Sequence, residues 1–189
     1  MEFEEDILKC LKALHEGGII LYPTDTIWGI GCDATDPEAV KKIFNLKRRP
    51  AAKSMIVLVA DPRDINRYTS RADPRISEYL EKNPGPTTVI YEGALGFAEN
   101  LIGEDGSVAI RIVRKDFCMH LIKRFRKPLV STSANLSGEE PPKNFAGISE
   151  EIKQGVDYIV KYRQQDSSES QASRLMKFDK NGEPIVLRS

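Results

Sequence analysis

Four cations crowd into seven residues at Lys47-Arg48-Arg49-Pro50-Ala51-Ala52-Lys53, and residues 41–53 carry six positive charges and no negative one. Such a cluster suits a polyanion such as a triphosphate, whose charge offsets the mutual repulsion of the side chains. The same run also fits a solvated helix end whose cations complement the helix dipole. Lys53-Ser54 is similar to the tail of a GxxxxGK(S/T) phosphate loop, but residues 46–54 contain no glycine. Backbone amides therefore cannot cradle phosphate there, and side chains must do that work if a nucleotide binds.

Three further groupings could carry chemistry. In Lys127 to Gly138, KPLVSTSANLSG, an apolar run leads into hydroxyls, an Asn and Ser-Gly. Small polar groups at a strand's end can meet a ligand in the crevice of an α/β sheet. They can equally close a turn on their own backbone. Pro23-Thr24-Asp25-Thr26, between two apolar runs, reads as a turn or as a polar site wall with Trp28 as an apolar surface. Arg111 stands inside the apolar run Val108 to Val113. A guanidinium buried there needs a carboxylate, from the protein or from a ligand; otherwise the residue lies on a solvated face.

Other chemistries lack their residues. The chain has no HExxH or GxSxG, and its GxG at 29–31 does not extend to GxGxxG. His15 and His120 fall on apolar helices and read as packed or solvated. With these and the widely spaced Cys10, Cys32 and Cys118, a zinc site is not expected. Three cysteines fit free thiols in a reducing compartment rather than a disulfide framework.

A chain of 189 residues argues for about one domain. Twenty-eight basic residues cancel twenty-eight acidic ones, which excludes a uniformly basic nucleic-acid coat and leaves only local patches. The longest apolar run, Met55 to Ala60, is far shorter than the ~20 residues that span a bilayer. The N-terminus, MEFEED, is acidic where a targeting sequence would be basic. A cytoplasmic protein without membrane association is the expectation.

Helical spacing predicts a helix over 3–16, stopped by Gly17-Gly18. The next helix opens at Thr35-Asp36-Pro37-Glu38, with either Thr35 or Asp36 as its cap. Asp61-Pro62 and Asp73-Pro74 each read as a cap with a first-turn proline. A further helix covers 116–125 and a weak one 145–154. Strands are expected at 19–22, 27–32, 55–60, 87–91, 107–113, 129–132 and 156–160. Those at 174–178 and 184–188 flank Asn181-Gly182, a hairpin signal. In 107–113, Val108, Ile110 and Ile112 take one face, and Ala109, Arg111 and Val113 the other. The polar residues 163–173 read as a mobile loop. The expectation is an α/β domain with a mixed sheet.

PTDTIWGIGCD, LKRRPAAKSMIVLV, NPGPTTVIY, SVAIRIV and KPLVSTSANLSG occur in this order. Together they resemble the YrdC/TsaC family, the L-threonylcarbamoyladenylate synthases, from about residue 7 to 188. The resemblance implies a single YrdC-like catalytic domain over 1–189, a twisted mixed sheet with flanking helices and a concave basic face. A chain without the C-terminal domain that longer members add is the expectation. It implies a nucleotidyltransferase that makes threonylcarbamoyl-AMP and pyrophosphate from L-threonine, bicarbonate and ATP. Mg²⁺ would travel with the triphosphate. The product would serve the threonylcarbamoyl-transferase complex that modifies tRNA, and tRNA itself is an expected partner.

Residue by residue, the resemblance gives Arg49, Lys53 and Lys47 catalytic, phosphate-side roles. It gives Ser107, Ser133, Asn135 and Arg188 contacts to ATP. Thr26, Arg111, Ser131 and Ser173 would contact threonine, Arg111 through its carboxylate. The sequence departs from the family at Ala172-Ser173-Arg174-Leu175, where relatives carry a PSTI-like element. It departs again at Leu58, a histidine in some relatives, and at Pro141-Pro142-Lys143, where Ser-Pro-Thr is common. A non-catalytic RNA-binding module of the same fold, or a paralogue with another acceptor, is the competing reading.

Overall fold

The apolar segments form elements where their end signals place them, in a computed structural model that describes residues 1–49, 55–114, 116–168 and 171–189. The helices are α1 (Glu4–His15), α2 (Pro37–Leu46), α3 (Asp64–Tyr68), α4 (Pro74–Lys82), α5 (Asp116–Phe125) and α6 (Glu150–Gln154). The strands are β1 (Ile20–Tyr22), β2 (Gly29–Gly31), β3 (Ile56–Val59), β4 (Thr87–Tyr91) and β5 (Val108–Ile112). They continue with β6 (Leu129–Ser133), β7 (Tyr158–Ile159), β8 (Arg174–Phe178) and β9 (Pro184–Arg188). Single 3₁₀ turns occur at Glu99–Leu101 and Phe145–Gly147.

Asp36, not Thr35, caps α2: its carboxylate accepts from the Glu38 and Ala39 amides, and Pro37 takes the first helical position. Asp73 and Pro74 do the same for α4. Asp61-Pro62 does not open a helix directly. The Asp61 carboxylate instead accepts from the Arg63 backbone and guanidinium, and α3 begins only at Asp64. The segment 145–154 splits into a 3₁₀ turn and α6, because Ser149 caps a new helix in its middle.

Among the described residues, the sheet runs β7-β1-β2-β6-β3-β5-β4-β8-β9. The pairs β1/β7, β3/β5 and β4/β8 are parallel and the rest antiparallel. The hairpin is where Asn181-Gly182 points: β8 and β9 are joined through Gly182, whose φ is 82°.

Strand alternation gives the two faces of the sheet different work. Val57, Val59, Val89, Val108, Ile110, Val130 and Met176 are at most 2% exposed and form the hydrophobic core. On the other face, register aligns Leu58, Arg111, Thr88 and Leu175 in one row, and Ser131, Ile56, Ala109 and Ile90 in the next. That second face is the floor of a cavity. The expectation that Arg111 and Ala109 share a face opposite Ile110 therefore holds, and the face they share is the functional one.

Candidate active site

A cavity of about 290 Å³ lies on this floor. Its first wall is the loop after β1. Thr24 donates its hydroxyl to the Ile27 carbonyl at 2.7 Å and accepts from the Thr26 amide at 3.0 Å. The Thr24 and Thr26 hydroxyl oxygens are 2.9 Å apart. With the Thr24 proton committed to Ile27, Thr26 is the donor of that pair. Its lone pairs then remain for a ligand. Trp28 closes the wall, packed on Phe145 with ring centroids 4.8 Å apart.

β2 must pass very close to its neighbours. A Cβ on Gly31 would lie 2.5 Å from the Val130 carbonyl and 2.7 Å from the Tyr22 ring. One on Gly29, at the cavity, would press on Ser131 Oγ at 3.2 Å. The glycines at 29 and 31 are thus packing residues between β1 and β6, not a dinucleotide fingerprint.

Arg111 rises from the middle of β5 and is 3% exposed. Its Nη2 lies 2.9 Å from Asp25 Oδ1, and both side chains are buried. The contact is ionic without being a hydrogen bond: Asp25 Oδ1 and Arg111 Nε and Nη2 have no hydrogen-bond partner among the described residues. A buried donor or acceptor left in that state costs about 1–3 kcal/mol. The pair cancels charge while keeping its directional valences unspent. Nε and Nη2 form one edge of the guanidinium, the fork that grips a carboxylate bidentately.

The cationic run resolves into three fates. α2 ends in a Schellman motif: the Arg49 amide donates to the Phe44 carbonyl at 2.9 Å, and the Arg48 amide to Asn45 at 3.1 Å. Arg48 takes the left-handed position, φ 48°, where glycine is usual. The sharp reversal sends consecutive side chains apart. Arg48 turns to solvent and pairs with Glu151 at 2.7 Å. Arg49 reaches the cavity wall, where burial lowers its pKa. Lys47 turns inward, 1% exposed, and donates to the carbonyls of Ser133, at 2.5 Å, and Asn135. Burial, aided by the Arg49 charge, pushes its pKa down to about 8. Lys53 and Ser54 lie outside the described residues.

Lys47 therefore holds the turn after β6 from beneath, and its own carbonyl accepts the Ser137 amide at 2.8 Å. In that turn Ser133 lines the cavity. Asn135 does not: its Nδ2 donates to the Leu136 and Glu139 carbonyls at 2.9 and 2.8 Å. Opposite, Ser173 lines the cavity, with its hydroxyl 2.7 Å from that of Thr88. Its carbonyl accepts from Arg188 Nη2 at 2.9 Å, which brings the end of β9 into the wall.

The structure thus gathers Thr26, Arg49, Arg111, Ser131, Ser133, Ser173 and Arg188 around one cavity. Lys47 and Asn135 shape a loop behind it. Ser107 stands apart at the foot of β5, its amide bonded to Asp105 Oδ1 at 3.0 Å. Thr88 escaped the sequence reading as a site residue, whereas Thr24 and Asp25 belong to the segment read as a turn or a polar site wall. The signal for Asp25 was present, since Arg111 demanded a carboxylate. The loop expected to be mobile is bonded in part: Arg163 pairs with Asp166, which also accepts from Ser168. A second cavity, of about 570 Å³, adjoins the first at Thr26 and Ala172 and brings in Lys82 and Arg174. No helix among the described residues is long and apolar enough to cross a membrane.

Comparison with known proteins matches residues 12–189 to the Sua5/YciO/YrdC family, described under telomere recombination. The threonylcarbamoyl-AMP synthase of Idiomarina loihiensis is 36% identical over 147 residues, which are 76% of this chain and 78% of that protein. Its namesake from Hahella chejuensis is 33% identical over 155 residues, 82% and 84% of the two chains. Among solved structures, a double-alanine variant of P. abyssi Sua5 superposes with a TM-score of 0.86 at 25% identity, covering 98% of this chain and 56% of that one. P. abyssi Sua5 complexed with L-threonine gives 0.85 at 24% identity, covering 98% and 54%. E. coli YciO gives 0.83 at 21%, covering 98% and 89%. This chain spans about half the length of the two Sua5 chains.

Proposed function

We propose that this chain, which belongs to the Sua5/YciO/YrdC family, is a threonylcarbamoyl-AMP synthase. The amine of L-threonine attacks bicarbonate carbon and water leaves, giving an N-carboxylate. An oxygen of that carboxylate then attacks the α-phosphorus of ATP. The bond to the bridging oxygen breaks and pyrophosphate departs, so the enzyme is a nucleotidyltransferase. The threonylcarbamoyl-AMP passes to the enzymes that modify tRNA. On this reading the protein works in the cytoplasm alongside those partners.

The observation that carries this reading is a single cavity lined by Arg111, Arg49 and Arg188 together with the hydroxyls of Thr26, Ser131, Ser133 and Ser173. Arg111 takes the amino acid's carboxylate, and the hydroxyls of Thr26, Ser131 and Ser173 surround the rest of the molecule. Arg49, with Lys53 and Arg188, meets the phosphates. Ser133 and the turn stitched by Lys47 and Asn135 support the nucleotide, with Ser107 at the outer end of its strand. No side-chain nucleophile is needed, because the reaction asks chiefly for positioning and fixed positive charge. Mg²⁺ would arrive with ATP and would supply positive charge to the phosphates beside Arg49 and Arg188. Asp25 faces Arg111 across a buried ion pair.

Pyrophosphate release from ATP, Mg²⁺, bicarbonate and L-threonine tests the proposal. Release above the control without threonine is expected, and its absence with folded protein rejects the reading. In the same assay Arg49→Ala should lose about ten- to a hundred-fold in kcat/KM for ATP, the worth of one charge-assisted hydrogen bond.

A further inference from the structure

We propose that a further cavity, at the far end of β3 from the catalytic one, is a binding site for a phosphate monoester carried on a small apolar body. The inference stands apart from the threonine reading and uses none of its residues. The cavity measures about 280 Å³, close to the volume on the catalytic floor. Ile56 opens β3 onto that floor, whereas Val59, three residues on and on the opposite face, lines the further cavity. Val59, Tyr68, Ile122 and Pro128 supply apolar surface, and Arg67, Lys123, Arg126 and Lys127 supply four cations.

The charges there do not cancel. The Arg63 guanidinium and amide occupy Asp61 and hold its carboxyl down to about 2. Lys127 is spent on Asp33, at 2.5 Å. Arg67 rests on the Tyr68 ring, 5.4 Å from its centroid. Lys123 and Arg126 are exposed, and their side chains make no hydrogen bond or ion pair among the described residues. Of the two acids lining the cavity only Asp64 is left to oppose these three, and burial with the nearby Asp61 charge raises its carboxyl, so it gives up its charge readily.

The backbone at Arg126 is the second observation. Arg126 follows α5, its amide donates to the Ile122 carbonyl at 2.8 Å, and its φ of 60° is the left-handed position that glycine usually takes. A side chain there costs about 1–2 kcal/mol. Cations complement a helix end, but Lys123 and Arg124 do so from the last turn without that strain. A strained residue persists where its side chain has a task, and this guanidinium reaches the cavity. Three unspent cations beside apolar surface match a dianionic phosphate whose organic body covers Val59, Ile122 and Pro128.

Amide NMR titration of the full chain with phenyl phosphate, inorganic phosphate and a short single-stranded RNA tests the proposal. Phenyl phosphate should shift the amides of 59–68 and 122–127 saturably, with a Kd of about 1 mM or tighter. Inorganic phosphate, which has no apolar body, should bind there about five-fold more weakly or less tightly still. Arg126→Gly and Lys123→Gln should each weaken phenyl phosphate about ten-fold, and Arg49→Ala should leave its binding at these amides unchanged. Glycine suits the left-handed turn, so Arg126→Gly keeps the fold. The absence of a saturable shift at these amides overturns the proposal. Unaltered binding in both variants also overturns it, since the cations would then serve the helix end alone. Equal affinity for inorganic phosphate refutes the apolar body, and shifts produced by RNA alone would make this face a docking surface; either result overturns the proposal as well.

Discussion

At one end of the cavity Arg49 stands on a loop, one of three successive cations; at the other Arg111 stands alone in mid-strand. The loop cations are kept apart by the turn on which they sit. A left-handed residue at Arg48 splays them, sending one to solvent, one to the cavity and one into the interior. Arg111 has no such freedom, because strand alternation fixes the side it points to and the sheet buries it. It needs Asp25 to make that burial tolerable. Charge on a loop is thus placed by backbone geometry, and charge on a strand by electrostatic compensation. The two ends should fail differently when mutated.

The largest effect is expected at the strand. Arg111→Ala leaves the Asp25 carboxylate buried and unpaired, which costs about 3–5 kcal/mol. In a chain of this size that lowers the melting temperature by about 10 °C. Turnover with threonine should fall by at least about a hundred-fold, since the carboxylate fork is lost. Arg111→Lys restores charge without the fork, so it should recover much of the stability and little of the turnover. Calorimetric melting with pyrophosphate release measures both. If Arg111→Ala melts with the wild-type protein, compensation by Asp25 is not what holds this end together.

These two ends were not equally legible in the sequence. Alternation in Val108 to Val113 predicts the face of Arg111 and its need for a carboxylate, because period two is a local property. Asp36-Pro37 and Asp73-Pro74 likewise act through neighbouring amides. Asp61-Pro62 looked the same but was captured by its own Arg63, a competition that spacing does not reveal. Lys47, Arg48 and Arg49 are alike as letters. Only the packing of α2 against the turn after β6 decides that Lys47 goes inward. The resemblance gives Asn135 a contact to ATP; its Nδ2 is held by the loop's own carbonyls, while its Oδ1 has no partner among the described residues.

Lys47 offers the next test, because it is a loop cation that suffers the burial of a strand residue. Its pKa is pushed down to about 8, against 10.5 in the unfolded chain. Between those values the unfolded chain binds more protons, so stability from this residue rises with pH across the window and is least below pH 8. Urea unfolding of the wild-type protein and of Lys47→Met should show their difference shifting toward the wild type by roughly 2–3 kcal/mol from pH 7.5 to 10.5. A neutral amine retains two N–H donors, enough for the Ser133 and Asn135 carbonyls. A difference that is flat with pH would mean that Lys47 is not desolvated as its burial requires.

The smallest effect is expected at Arg48, where backbone geometry alone is at stake. Its φ of 48° strains a side chain that carries a Cβ. Its ion pair with Glu151 lies at the surface and is worth little. Arg48→Gly should therefore stabilise the protein by about 0.5 kcal/mol, relief of strain exceeding the entropy that glycine adds to the unfolded chain. The KM for ATP should stay unchanged, because the reversal that aims Arg49 is preserved. Arg48→Val removes the same ion pair but cannot take the left-handed position cheaply. It should lose about 1 kcal/mol and raise the KM for ATP as Arg49 swings from the wall. Both variants discard the same charge, so equal KM values in the two would show that Arg49 is held by its own contacts and not by the turn before it.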